Sequence, residues 1–200
     1  AAVGDTKRRT GDDIVAAAEF LVESGRARPG RDIALMGYSG GGYAAALATL
    51  MRPDLWAASM PIVGVHDIVG SPNYTYGEGW ASDFGRANPR LDPEDEDPIE
   101  NQSPYHMALD GGFFPPTLIW HGRMDSRVEV AHSDKLAAAM QENNRGNSPI
   151  LYYSPPYQGH GLPVRHDEYA RVLATQVAFL MHMTGLELNS SSNSAVDDTP

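Results

Sequence analysis

Between the apolar run Ile33-Ala34-Leu35-Met36 and the small-residue stretch Tyr43-Ala44-Ala45-Ala46-Leu47 lies Gly37-Tyr38-Ser39-Gly40-Gly41, one serine flanked by glycines. A buried strand that passes into a helix over so few residues must turn sharply. Glycine supplies the backbone conformations and close approaches that such a corner needs. The corner exposes Ser39 and sets it at the amino end of a helix beginning near Gly41, where negative charge is favoured. A five-residue match of this kind is weak by itself, so the weight falls on what surrounds it.

The surroundings alternate between strand and helix. Asp12 or Asp13 opens a helix whose apolar residues Ile14, Val15, Ala18, Leu21 and Val22 recur near a period of 3.6, ending around Gly25. The helix from about Gly41 to Met51 stops at Pro53, and its alanines permit close packing on a sheet. Ala58 to Val65, Thr117 to His121 and Ile150 to Ser154 read as buried strands, with helices near Val130 to Asn143 and Glu168 to Met183. This is an α/β pattern, a mostly parallel sheet flanked by helices. Between the second and third strands, about His66 to Pro116 forms a long excursion, and so long a departure is usually functional. Its acidic stretch Asp92-Pro93-Glu94-Asp95-Glu96-Asp97 reads as a solvated surface segment, because prolines interrupt it and no histidine lies among the carboxylates. Residues 1–186 form one unit, and the polar run over 187–200 is expected to be a flexible tail.

Composition removes several function classes. The 200 residues are 42% apolar, enough for one substantial core, and the formal charge of −11 argues against nucleic acid as a partner. There is no cysteine, hence no disulfide and no thiolate metal site, and the compartment cannot be read from redox chemistry. No apolar run reaches the length of a membrane span. No cofactor-binding pattern stands out, and a zinc site from His121, His160 and His166 lacks the spacing that such sites show.

A serine hydroxyl is a poor nucleophile at neutral pH. It needs a base to take its proton and an acid to hold that base in the right tautomer. Asp125 follows the third strand in His121-Gly122-Arg123-Met124-Asp125, and His160 follows the fourth in Gln158-Gly159-His160-Gly161. Loops at the carboxyl ends of a parallel sheet gather at one rim, and the chain order Ser, Asp, His is that of an α/β-hydrolase with a nucleophile elbow. Ser39, Asp125 and His160 are therefore the candidate nucleophile, orienting acid and general base, with the Gly40 N–H as one oxyanion donor. Asp67 follows the wrong strand, Asp134 falls within a helix and His166 lies close to the final helix. His121 is placed to pack under the site.

Gly37-Tyr38-Ser39-Gly40-Gly41-Gly42-Tyr43, Arg52-Pro53-Asp54-Leu55-Trp56, Gly64-Val65-His66-Asp67, Ser103-Pro104-Tyr105-His106, Pro115-Pro116-Thr117-Leu118 and Gly159-His160-Gly161 stand in order along the chain. In this joint pattern the chain resembles the catalytic domain of the prolyl oligopeptidase family of serine peptidases, from the first helix to about Leu186. Tyr74-Thr75-Tyr76-Gly77, Gly79-Trp80, Asp83-Phe84-Gly85, Asp125-Ser126-Arg127-Val128 and His132-Ser133-Asp134-Lys135 lean toward its proline-cleaving branch. The resemblance implies a peptide substrate, with Trp80 stacked on its proline ring, Val65, Phe84 and Val128 walling the pocket, and Arg127 holding a substrate carbonyl. An aromatic face suits a flat imino-acid ring, and a guanidinium can donate to a peptide oxygen. Three departures bear on proline specificity: Gly40 stands where related enzymes carry Asn or Tyr, Phe84 replaces a tyrosine, and Val130 replaces a proline.

An α/β-hydrolase also needs strands before the elbow strand and a loop that gives the second oxyanion donor, and neither precedes Ser39 in this sequence. The expectation is the C-terminal part of a hydrolase domain, partnered by an upstream segment of the same protein, which the peptidase reading would have carry a β-propeller. The elbow strand would then be an apolar edge, and these residues alone would be poorly stable and nearly inactive. The triad does not separate amide from ester hydrolysis, so a carboxylesterase or lipase stays open, as does a non-catalytic hydrolase-like module.

Overall fold

A computed structural model of the chain describes residues 2–85, 99–163 and 165–187. Four strands, β1 (Ala34–Tyr38), β2 (Ala58–Ile62), β3 (Thr117–Trp120) and β4 (Ile150–Tyr153), pair in parallel in the order β1-β2-β3-β4. Around them run the helices α1 (Arg9–Glu23), α2 (Gly40–Met51), α3 (Gly77–Phe84), α4 (Pro104–Leu109), α5 (Ala131–Asn143) and α6 (His166–Thr184). The expected tail lies outside the described residues but for Glu187, and the acidic stretch lies wholly outside them.

Period-two alternation decides which face each strand residue serves. Ile119 of β3 packs with Ala46 of α2 and Leu136 and Met140 of α5. Its neighbours Leu118 and Trp120 point the other way, joining Met60 and Ile62 of β2 and Phe179 of α6. Both faces of the sheet are therefore covered, which is why the inner strands read as continuous apolar runs. α1 lies outside α2, with Val15 and Ala18 against Ala48, Leu55 and Trp56.

Several boundaries differ from the sequence reading. The elbow strand runs to Tyr38 rather than Met36, because Leu35 to Tyr38 keep register with β2. β2 stops at Ile62, three residues early, since Val63 takes a φ of 45° that no strand residue adopts. α1 starts at Arg9 instead of Asp12, and α6 at His166 instead of Glu168. The excursion carries two short helices, α3 and α4, that periodicity did not reveal.

β1 is an edge, as expected from its position in the sequence. Its outer side is unpaired among the described residues, and Met36 and Tyr38 are 54% and 37% exposed.

Candidate active site

Ser39 sits between the last residue of β1 and the first of α2, with φ 58° and ψ −119°. A non-glycine residue held there stores about 1–3 kcal/mol of strain. The surrounding glycines explain how it is held. A Cβ on Gly37 would lie 1.9 Å from the Gly41 carbonyl oxygen, and one on Gly42 would lie 2.4 Å from the Ile62 oxygen. Gly40 and Gly41 have open space around them. The corner thus needs Gly37 and Gly42 for close approach, whereas the two glycines that follow the serine directly are sterically free.

His160 reaches this corner from the loop after β4. Its Nε2 lies 3.0 Å from Ser39 Oγ, and its Nδ1 lies 2.6 Å from Asp125 Oδ2. Asp125 comes from the loop after β3, where the N–H groups of Arg127 and Val128 each donate to Oδ1 at 2.9 Å. Burial pushes the Asp125 carboxyl up. Hydrogen bonds from His121, the Val128 N–H, His160 and the Arg127 N–H outweigh this and bring it down to about 2. A carboxylate so ionised fixes the Nδ1–H tautomer of His160 and leaves Nε2 to accept from the serine.

The two loops are joined to each other. Arg123 N–H donates to the Pro155 carbonyl at 3.0 Å and Met124 N–H to that of Gln158 at 2.9 Å. A Cβ on Gly122 would lie 2.2 Å from the Gln158 oxygen, so glycine is required where they cross. Gly40 opens α2, and its N–H is one of the amides that a helix leaves without an internal partner.

The remaining candidates divide. Trp80 and Arg127 come together, with the guanidinium 5.7 Å from the indole centroid, and with Tyr76, Gly79 and Ser126 they line a cavity of about 430 Å³. Val65, Phe84 and Val128 do not line it. Each is about 2% exposed or less and belongs to the apolar cluster of Tyr43, Leu47 and Ile68 against which Trp80 packs. Pocket walls were expected of these three. Phe84 instead meets Tyr43 edge-on at 4.7 Å, and with no hydroxyl to keep near water it sinks into the core.

Other side chains receive structural work. Asp67 accepts from Gly70 N–H, Tyr74 and Lys135, tying the excursion to α5. Asp134 accepts from Tyr152 and Arg123. Tyr38, unmarked in the sequence, presents its ring edge-on to that of His160 at 5.6 Å. Its place next to Ser39 is the one signal the sequence offers. Among the described residues no three His, Cys, Asp or Glu side chains are gathered so as to hold a metal ion, and no helix is long and apolar enough to cross a membrane.

A parallel sheet with a serine at a strained strand-to-helix corner defines an α/β-hydrolase fold. The chain matches the model of the prolyl oligopeptidase family over residues 1–187. It is 34% identical over 189 residues to the dual function macrocyclase-peptidase POPB of Galerina marginata, covering 93% of this chain and 25% of that protein. Against the prolyl endopeptidase of Elizabethkingia miricola it is 30% identical over 181 residues, covering 90% and 25%. Among solved structures, prolyl oligopeptidase B from Galerina marginata bound to a 35mer hydrolysis and macrocyclization substrate superposes with a TM-score of 0.83 at 33% identity, over 94% of this chain and 26% of that one. Oligopeptidase B from Leishmania major gives 0.85 at 26% identity, over the same shares. The chain belongs to the prolyl oligopeptidase family of serine-type peptidases. It spans about a quarter of the length of the curated relatives it matches.

Proposed function

We propose that the chain carries the catalytic groups of a peptidase that cleaves short peptides through an acyl-enzyme, with proline before the scissile bond. Ser39 Oγ adds to the carbonyl carbon as His160 Nε2 takes its proton. The tetrahedral oxyanion is received by Gly40 N–H and by a second donor outside this chain. His160 then gives the proton to the leaving amine, and a water molecule, activated by the same imidazole, releases the acid. The observation that carries this reading is the unbroken relay from Ser39 through His160 to Asp125, at 3.0 and 2.6 Å.

The cavity between Trp80 and Arg127 supports the proline assignment, since it pairs an aromatic face with a guanidinium donor beside the acid. The edge of β1, unpaired among the described residues, supports a partner for the sheet. Further strands of the same hydrolase domain would pair with it and bring the second oxyanion donor. A propeller upstream of those strands would account for the greater length of the relatives.

Covalent labelling by a fluorophosphonate, on protein that includes the further hydrolase strands, tests the reading. Wild type is expected to label at Ser39 and Ser39→Ala to stay unlabelled. Chromogenic amides then grade substrates, with proline before the scissile bond expected to exceed alanine. Turnover of esters alone would make the protein an esterase.

A further inference from the structure

We infer that His121 is a positioning residue for the Asp125 carboxylate, acting on the chemistry only through His160. The inference rests on the reading of Ser39, His160 and Asp125 given above. His121 follows β3 directly and is fully buried. Both edges of its ring are engaged. Nδ1 lies 2.7 Å from Ser133 Oγ on α5, while Nε2 lies 2.9 Å from the Val128 carbonyl oxygen and 3.1 Å from Asp125 Oδ2. A backbone carbonyl and an ionised carboxylate have no hydrogen to give, so the hydrogen on that edge must belong to Nε2. It is shared between two acceptors, the better aligned being the carbonyl.

The consequence is a carboxylate enclosed on every side. Oδ1 takes the amides of Arg127 and Val128, and Oδ2 takes His160, with His121 Nε2 3.1 Å away on its other side. Three hydrogen bonds hold the two oxygens, and the His121 ring edge closes the remaining side of Oδ2 at 3.1 Å. Rotation of the carboxylate would break at least one charge-assisted contact in a buried setting, where such losses are costly. His121 also approaches the carbonyl of the residue whose amide holds Oδ1, so one ring braces both the acid and the loop beneath it. The charged or titratable groups facing Asp125 are His121 and His160, with Tyr38 and His132 responding to its charge from farther off.

The test replaces the Nε2 hydrogen and then restores it. His121→Leu deletes the donor, and His121→Gln keeps an amide N–H at the reach of Nε2. Ser133→Ala is a milder variant that frees only the far edge of the ring. Expected for the second-order rate of fluorophosphonate labelling is a loss of about tenfold in His121→Leu, a smaller loss in Ser133→Ala and near recovery in His121→Gln. In an Asp125→Ala background, His121→Leu should change the rate by less than about twofold, because a positioning role vanishes with the group positioned. Equal losses in both backgrounds, or equal losses for Leu and Gln, would overturn the inference. A second readout needs no activity. In ¹⁵N-histidine-labelled protein, the downfield Nδ1 proton of His160 should move in His121→Leu and Ser133→Ala but not in His121→Gln. An unmoved resonance in the first two overturns the proposal. A wild type that fails to label at Ser39 sinks the peptidase reading alone, and the resonance then decides on His121.

Discussion

Ser39 Oγ and His160 Nε2 stand 3.0 Å apart although 121 residues separate them along the chain. The contact joins an element at the sheet edge, β1, to a loop that follows β4 at the opposite edge. What brings them together is the shared polarity of the strands. Every loop that follows a strand of a parallel sheet emerges at one rim, and His160 needs only to reach across that rim.

Replacing Ser39 should separate labelling from stability. Ser39→Gly removes the reacting hydroxyl and relieves a φ of 58°, so labelling is expected to vanish while stability rises by about 1 kcal/mol. Denaturant midpoints of Ser39→Gly, Ser39→Ala and wild type measure the gain. A loss of stability in Ser39→Gly would mean that the corner is not strained.

The elbow glycines should fall into two classes. Gly42→Ala places a Cβ against the Ile62 backbone oxygen and is expected to cost about 3 kcal/mol. Gly41→Ala meets nothing and sits in a helix, so it should be neutral or stabilising by up to about 1 kcal/mol. Urea unfolding of the two variants decides it.

Acid should destabilise the fold in two stages. Burial holds His66 and His132 far below the ordinary histidine value of 6.5, His132 at about 4. These rings are kept uncharged in the folded state and gain protons on unfolding, so stability is full above pH 6.5 and falls as pH drops toward 4. Asp125 is depressed from 3.8 to about 2, and its contribution is lost only below about pH 4. Urea midpoints at pH 7.5, 5.5 and 4.5 should fall steadily. A flat profile over that range would contradict the burial of the two histidines. His66 is the sharper case, since neither of its ring nitrogens has a hydrogen-bond partner among the described residues.

Trp80→Ala should lower kcat/KM for a proline substrate by about tenfold, the worth of one aromatic contact of about 1.4 kcal/mol. The same variant should change the rate on an alanine substrate much less. Steady-state kinetics on the paired substrates check it, and equal losses on both would remove Trp80 from proline recognition.

Much of this site is legible in the sequence because it depends on chain order and strand ends. Gly37 to Gly41 mark the corner, and Asp125 and His160 each follow an apolar run. What stays hidden depends on partners distant in sequence. α3 is eight residues long and begins after Tyr76 in a left-handed conformation, where Gly77 approaches Ser71 too closely for any side chain. No periodicity announces such a helix. The early end of β2 is equally silent, since Val63 is β-branched and favours the strand it terminates. Val65, Phe84 and Val128 share their types with pocket walls and with cores alike, and only packing shows that they lie in the core. His121 precedes Asp125 by four residues, but its contact with the carboxylate depends on a turn rather than a helix face.

The stitching between the loops that follow β3 and β4 has a mechanical corollary. Asp125 and His160 are mounted on a common platform, while Ser39 stands on another, at the mouth of α2. Loosening β1 from the rest of the sheet would therefore part Ser39 from His160 while leaving the imidazole–carboxylate couple joined, one contact from its full arrangement.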